Sequence, residues 1–246
     1  MSPALLFVHG WALDHTLWDK VLSALGDEVR DAIVLDAGYY GQPTNPLAPF
    51  PLDGGGVGDG GDLSAAPQLN RHPHSRPLPH RGGEESAPIL GVGQSLGALE
   101  LLAEPPPGLA GVVALDGFAR FGRAEDFPQG VPSRVLERMK ARLGEGGLAE
   151  FVERAGGQLP QGEPDQDRLA AGLDRLHALD GRACRLPVWR LHADHDPIAA
   201  LAMADASFEG LDVRERRIRP SADHLSPLTA PHACAVLIRT ALAALA

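Results

Sequence analysis

The sequence contains no apolar run of about eighteen residues, the minimum for a membrane-spanning helix. Its start, Met1 to Val8, is apolar but lacks a basic leader region and a cleavage pattern, so no secretory signal is expected. Cysteine is scarce. Cys184 and Cys234 give no disulfide framework and read as reduced or buried thiols of a cytoplasmic protein. Basic charge is also in deficit: the formal net charge is -10, which argues against a nucleic-acid binder, whose phosphate contacts call for a basic surface. No internal repeat is found. The 246 residues suffice for one α/β domain with a substantial core.

The most informative stretch is Ile89 to Ala98, a short apolar strand that runs into Gly93-Gln94-Ser95-Leu96-Gly97. This is the G-x-S-x-G pattern of a nucleophile elbow, in which a serine on a strained strand-to-helix turn projects from the sheet edge. The segment Leu96 to Leu102 supplies the helix. Alone the pattern is weak, and a plain glycine-rich turn is its competing reading.

Ala4 to Val8 reads as a buried parallel strand, with His9-Gly10-Trp11 at its end. There the backbone N–H of Trp11 would be a second oxyanion donor beside that of Leu96, while His9 is expected to hold the loop structurally. Leu17 to Leu25 is spaced as a helix, and Ala32 to Asp36 as the next strand. Tyr39 and Tyr40 follow it and are expected to line a site entrance. Residues 43–88 are rich in Pro and Gly and read as an irregular excursion, with His72, His74 and His80 on a solvated loop rather than at a metal.

Leu109 to Gly117 restores the strand rhythm. The stretch 118–185 then offers only helices, at 131–143, 148–155 and 167–179, as expected of a cap inserted between two strands. Val135, Met139 and Leu143 form one stripe of the first cap helix. Arg134, Arg138 and Arg142 form another, a basic row that could receive an acidic partner or be an ordinary solvated face.

The sheet resumes at Leu186 to His192, followed by two candidate acids, Asp194 and Asp196. Asp196 is preferred because it lies one turn beyond the strand, just ahead of Pro197; either could instead cap the next helix. Leu211 to Ile218 is a half-exposed last strand, and His224 lies in the loop between it and a C-terminal helix over 232–245. Ser95, Asp196 and His224 thus occur in the order of an α/β-hydrolase, each past the end of a strand.

With those residues in view, VHGW, GQSLG, HADHDP and ADHLSP resemble the α/β-hydrolase superfamily over nearly the whole chain. LLFVHGWALDHTLW, GFARF and DFPQGVPSRVLERMKARL resemble its esterases that cleave pimeloyl-acyl carrier protein methyl ester in biotin synthesis. The resemblance implies a Ser95–His224–Asp196 triad and oxyanion donors at Trp11 and Leu96. It further implies contacts of an acidic carrier protein with Arg138 and Arg142. A serine mechanism of this kind requires neither metal nor organic cofactor, and a monomer is expected. Thioesterase or general carboxylesterase activity is the enzymatic alternative; an inactive carrier- or ligand-binding homologue is the other. The sequence departs from the family in three ways. The usual first hairpin is expected to be absent, no helix is recognisable ahead of the elbow strand, and Ala193 and Ala222 stand where glycine is common.

Overall fold

The computed structural model describes residues 3–29, 32–44 and 87–246. Residues 45–86, with His72, His74 and His80 and nearly all of the 43–88 excursion, lie outside the described residues. The described strands are β1 (Ala4–Val8), β2 (Ile33–Leu35), β3 (Ile89–Gln94), β4 (Leu109–Leu115), β5 (Val188–Ala193) and β6 (Val213–Arg219). They form one sheet in the order β2-β1-β3-β4-β5-β6, with every pairing parallel. Because β2 lies on one side of β1 and β3 on the other, the strand order reverses at the β1/β3 pair. A crevice opens at the C-terminal ends of two such strands.

Both faces of the sheet are covered, which is why the central strands are apolar without alternation. On one face Phe7, Val92, Val113 and Leu191 pack with α1 (Asp19–Leu25) and α8 (Pro231–Leu245). Trp18 is fully buried there, its ring 5.1 Å from that of Phe7. On the other face Leu6, Val8, Val112 and Val188 meet α2 (Leu96–Ala103) and Phe208, which follows α6 (Leu201–Ser207). The outer strand β6 carries Arg214, Glu215, Arg216 and Arg217, charges that discourage pairing with another edge.

Between β4 and β5 the chain forms α3 (Ser133–Ala141), α4 (Leu148–Ala155) and α5 (Gln166–Ala178), close to the expected helices. Pro132 precedes α3 and delays its start, since the residue before a proline is turned away from helix and the ring removes a donor. α4 ends on Gly156 in the left-handed conformation, and Asp165 caps α5 by accepting the Arg168 N–H. Their apolar residues make a third cluster with Trp11, Tyr39, Leu96 and Leu99, over the strand ends. One detail differs from the expected stripe. Leu136 is the buried residue of α3, whereas Val135 is 38% exposed. A further short helix, α7 (Ser226–Thr229), begins just past His224. Among the described residues no helix is long and apolar enough to cross a membrane.

Candidate active site

Ser95 sits between β3 and α2 with φ +51°, a left-handed conformation uncommon outside glycine. The flanking glycines make that turn possible. A Cβ at Gly97 would collide with the Val8 carbonyl, and one at Gly93 with the backbone of Ala98. Gly10 is equally constrained: a Cβ there would lie 2.9 Å from the Ser95 Cβ. The Gly10–Trp11 loop therefore runs close against the serine, and Trp11 lines the same cavity as Ser95.

Ser95 Oγ lies 2.8 Å from His224 Nε2, and His224 Nδ1 lies 2.6 Å from Asp196 Oδ2. All three side chains are buried. With the ring neutral, Nδ1–H donates to the carboxylate and Nε2 accepts the serine proton. The other oxygen of Asp196 accepts the N–H groups of Ile198 and Ala199, both at 2.8 Å. Helix-entry capping and histidine orientation, which compete in the sequence, are thus done by different oxygens of one carboxylate. Asp194 stands elsewhere: it accepts the Ser221 N–H at 2.9 Å and pairs with the exposed His195. Burial opposes a proton on His224, but the facing Asp196, Asp116 and Asp223 outweigh it and hold the ring above the ordinary histidine range.

His9 takes the structural part expected of it, with Nδ1–H donating to Gly10 O at 2.8 Å and Nε2 accepting the Ala37 N–H at 3.0 Å. Tyr39 and Tyr40 do not line the cavity that contains Ser95. Tyr39 is buried edge-on to His9, and Tyr40 donates from its hydroxyl to Ala12 O.

That cavity has a volume of about 320 Å³. Phe118, Phe121, Met139, Phe151 and Leu176 make it apolar, suited to an acyl chain, while Arg138, Arg142 and Arg154 lie at its solvent side. Arg142 pairs with Glu150 at 2.8 Å. Arg134 is exposed and does not line the cavity. Arg154 escaped the sequence reading because it belongs to α4 rather than to the four-residue spacing in α3.

Two other residues were also missed. Gln94 Nε2 donates to His224 O at 2.8 Å, and Asp116, fully buried past β4, accepts both the N–H and the hydroxyl of Ser226. The position of Asp116 at a strand end, on the edge where the other site residues emerge, was the available signal. Asp116, His192 and Asp196 are the described group whose polar atoms approach as a metal set would. Both carboxylates, however, are bonded at each oxygen, and His192 Nε2 is 2.7 Å from Ala199 O. The group is therefore explained by hydrogen bonding around the histidine.

A parallel sheet between helices, with a serine elbow after β3, an acid after β5 and a histidine after β6, defines the α/β-hydrolase fold, and this chain has it. No protein-family model matches the chain. The chain is similar to the biotin biosynthesis bifunctional protein BioHC of Cellvibrio japonicus, at 28% identity over 233 residues, covering 85% of this chain. It spans only 41% of that relative's length. A thermophilic esterase from Thermogutta terrifontis is 20% identical with a TM-score of 0.63, covering 100% of this chain and 91% of its own. The enol-lactonase from Burkholderia xenovorans is 15% identical with a TM-score of 0.65, covering 99% and 92%. A bromoperoxidase from Bacillus anthracis is 16% identical with a TM-score of 0.64, covering 100% and 92%. At these identities the solved structures define the fold, and their differing names leave the reaction to be argued from the site.

Proposed function

We propose that the protein is a serine-dependent carboxylic ester hydrolase. The observation that carries this reading is the buried relay from Ser95 through His224 to Asp196, with contacts of 2.8 and 2.6 Å. His224 Nε2 takes the Ser95 proton as Oγ attacks the ester carbonyl, and the backbone N–H groups of Trp11 and Leu96 receive the oxyanion. Collapse of the tetrahedral intermediate breaks the bond to the alkoxide, which takes the proton from His224 and leaves as the alcohol. Water then gives a proton to His224 and attacks the acyl carbonyl; collapse breaks the acyl–Oγ bond, His224 returns the proton to Ser95 Oγ, and the carboxylic acid leaves. Asp196 holds the ring tautomer throughout, and the steps use protein groups alone.

For the substrate we propose the methyl ester of a pimeloyl chain on acyl carrier protein, with α3, α4 and α5 as the cap. The similarity to a protein named for biotin biosynthesis supports this, as does the apolar cavity with its arginines toward solvent. An acidic carrier would be drawn to Arg138, Arg142 and Arg154 on a protein otherwise of net negative charge. On this reading the enzyme acts as a cytoplasmic monomer.

The test compares wild type with Ser95→Ala for hydrolysis of a short p-nitrophenyl ester and for labelling by a fluorophosphonate. Wild type should turn over and label, and the variant should do neither. An unlabelled wild type, or equal turnover by the two proteins, overturns the reading.

A further inference from the structure

Beside the relay stands a second carboxylate to which the reaction steps above give no part. Asp116 follows β4, is fully buried and has φ +46°. A desolvated aspartate on strained backbone is costly and persists only where its surroundings hold it firmly. Its N–H donates to Leu191 O at 2.8 Å. The carboxylate meets Ser226, two residues past His224: Oδ2 accepts the Ser226 N–H at 2.6 Å, and Oδ1 lies 2.8 Å from Ser226 Oγ.

The direction of that last bond follows from Arg219. Its Nε, 2.8 Å from Ser226 Oγ, can only donate, so the hydroxyl accepts there and gives its own proton to Asp116. Both oxygens of Asp116 are therefore acceptors, the pattern of an ionised carboxylate. Polar atoms of Asp116, His192 and Asp196 lie within 4.8 Å of one another, and Asp196 is bonded to His224. Asp116 thus stands close to the carboxylate bonded to His224, and both anions act on that imidazole.

We infer that Asp116 is a positioning residue for His224: through Ser226 it anchors the histidine loop, and its charge supports the imidazolium that forms when Ser95 gives up its proton. In its turnover readout this inference rests on the ester-hydrolase reading. The groups facing His224 are Ser95 of the elbow, Asp116 after β4, Asp196 after β5 and His192 within it. Asp223 of the histidine's own loop, paired with Arg219 of β6, also acts on the ring, and the buried thiol of Cys234 in α8 senses Asp116. Burial, joined by the neighbouring Asp196, pushes the Asp116 carboxyl above the ordinary carboxylate range, and His224, His192 and the Ser226 N–H offset only part of that; the case for the ionised form is the pair of donors to its two oxygens. A purely structural clamp would need the two bonds to Ser226 but not the charge.

The experiment follows the His224 ring by NMR in ¹⁵N-histidine-labelled wild type, Asp116→Asn and Ser226→Ala, beside kcat/KM against pH for a p-nitrophenyl ester. Asp116→Asn removes the charge, so the His224 titration midpoint and the acid limb should both move to lower pH, by about one unit. The plateau of kcat/KM should fall by about tenfold or more as imidazolium support is lost. Ser226→Ala keeps the charge and cuts one bond, so kcat should fall while the midpoint stays with wild type. An unmoved midpoint in Asp116→Asn, or an equal move in Ser226→Ala, overturns the inference. The ¹³Cγ shift of Asp116 in wild type at neutral pH needs no variant to fold: it should report an ionised carboxylate, and a protonated one overturns the inference. A wild type that fails to label with fluorophosphonate would sink the hydrolase reading, yet leave both NMR readouts interpretable.

Discussion

The backbone N–H of His224 donates to the carbonyl of Ala155 at 2.9 Å, so the last residue of α4 holds the loop that presents the imidazole to Ser95. On the other side of the serine, Trp11 Nε1 donates to Leu169 O in α5 at 2.7 Å, and its ring stands edge-on to Phe151 of α4, 4.8 Å away. The helices over the strand ends are therefore hydrogen-bonded to both the histidine loop and the Gly10–Trp11 loop. Whatever shifts them is felt at the reacting atoms, and Arg154 is next in sequence to Ala155.

Trp11→Phe tests that coupling. The ring remains apolar and the lost bond to Leu169 O should cost about 1 kcal/mol of stability, read from urea unfolding. A several-fold fall in kcat on a p-nitrophenyl ester is expected because the loop carrying the Trp11 N–H loses its tether. Unchanged kcat would mean that this loop is held by Gly10 and its neighbours alone.

Asp196 and Asp194 should separate by substitution. Asp196→Asn replaces the acceptor of the His224 Nδ1 proton and favours the wrong tautomer, so turnover should fall on the scale of about 10⁴ known for the equivalent change in a serine protease. Asp194→Asn keeps an oxygen to accept the Ser221 N–H and loses only the charge that pairs with the exposed His195, so it should cost a few-fold at most. Circular dichroism establishes that both are folded, and the reverse ranking would move the orienting role to Asp194.

The acid limb of kcat/KM should lie above the ordinary imidazole value of about 6.5. Burial resists charging of His224, but Asp196, Asp116 and Asp223 more than compensate, so the free enzyme keeps its histidine protonated to a higher pH. A protonated ring cannot accept the Ser95 proton, and activity therefore falls as pH drops through this raised value. A pH profile in buffers of constant ionic strength checks it; an acid limb well below about 6 would contradict the facing anions.

The strands and the relay were legible in the sequence for a definite reason. A strand covered on both faces must be apolar throughout, as in Leu5 to Val8 and Ile89 to Val92, and Trp11 and Ser95 sit just past such runs, whereas His224 follows the charged, half-exposed β6 and was legible from the chain order. The strained serine needs glycine at 93 and 97, which leaves a readable pattern. Asp116 was not legible because a lone aspartate after a strand looks the same whether it turns to solvent or inward. Nor could spacing distinguish Leu136 from Val135, since in a helix of nine residues the buried face depends on where Pro132 lets it begin. Gln94 lies inside the elbow pattern, at a position where the pattern accepts any residue.

Arg175 fastens α5 to the elbow helix. Its Nε is 2.7 Å from Glu100 and its Nη2 is 2.6 Å from Glu104, and Glu100 is buried, which pushes its carboxyl up against the pull of Arg175. Arg175→Met should lower unfolding free energy by about 2–4 kcal/mol because it strands Glu100 without a partner. Adding Glu100→Gln to that variant should recover part of the loss, since a neutral amide tolerates the site better. Denaturant unfolding of the three variants checks this, and full additivity of the two changes would show that the pair does not interact.

The charge of the cavity's solvent side distinguishes a carrier-bound substrate from a free ester. Arg142 is already tied to Glu150, so reversing it would add a repulsion against α4; Arg138 and Arg154, both exposed along the same cavity, are the cleaner pair. An acidic carrier docking there should associate faster at low salt, and kcat/KM for a carrier-bound pimeloyl methyl ester should fall steeply as ionic strength rises toward physiological values, where the Debye length is about 8 Å. The free methyl ester has no such surface and should show little salt dependence. Changing Arg138 and Arg154 together to Glu should lower kcat/KM for the carrier-bound ester by about tenfold or more while leaving the free ester within about twofold. Leu136, Leu143, Leu148, Val152 and Ala155, buried in this region, are untouched, so the fold should survive. Because Arg154 adjoins the Ala155 carbonyl that holds His224, an equal loss on both substrates would instead signal movement of that helix end. No loss on either would assign the arginines to an ordinary solvated face and favour a general carboxylesterase acting on free esters.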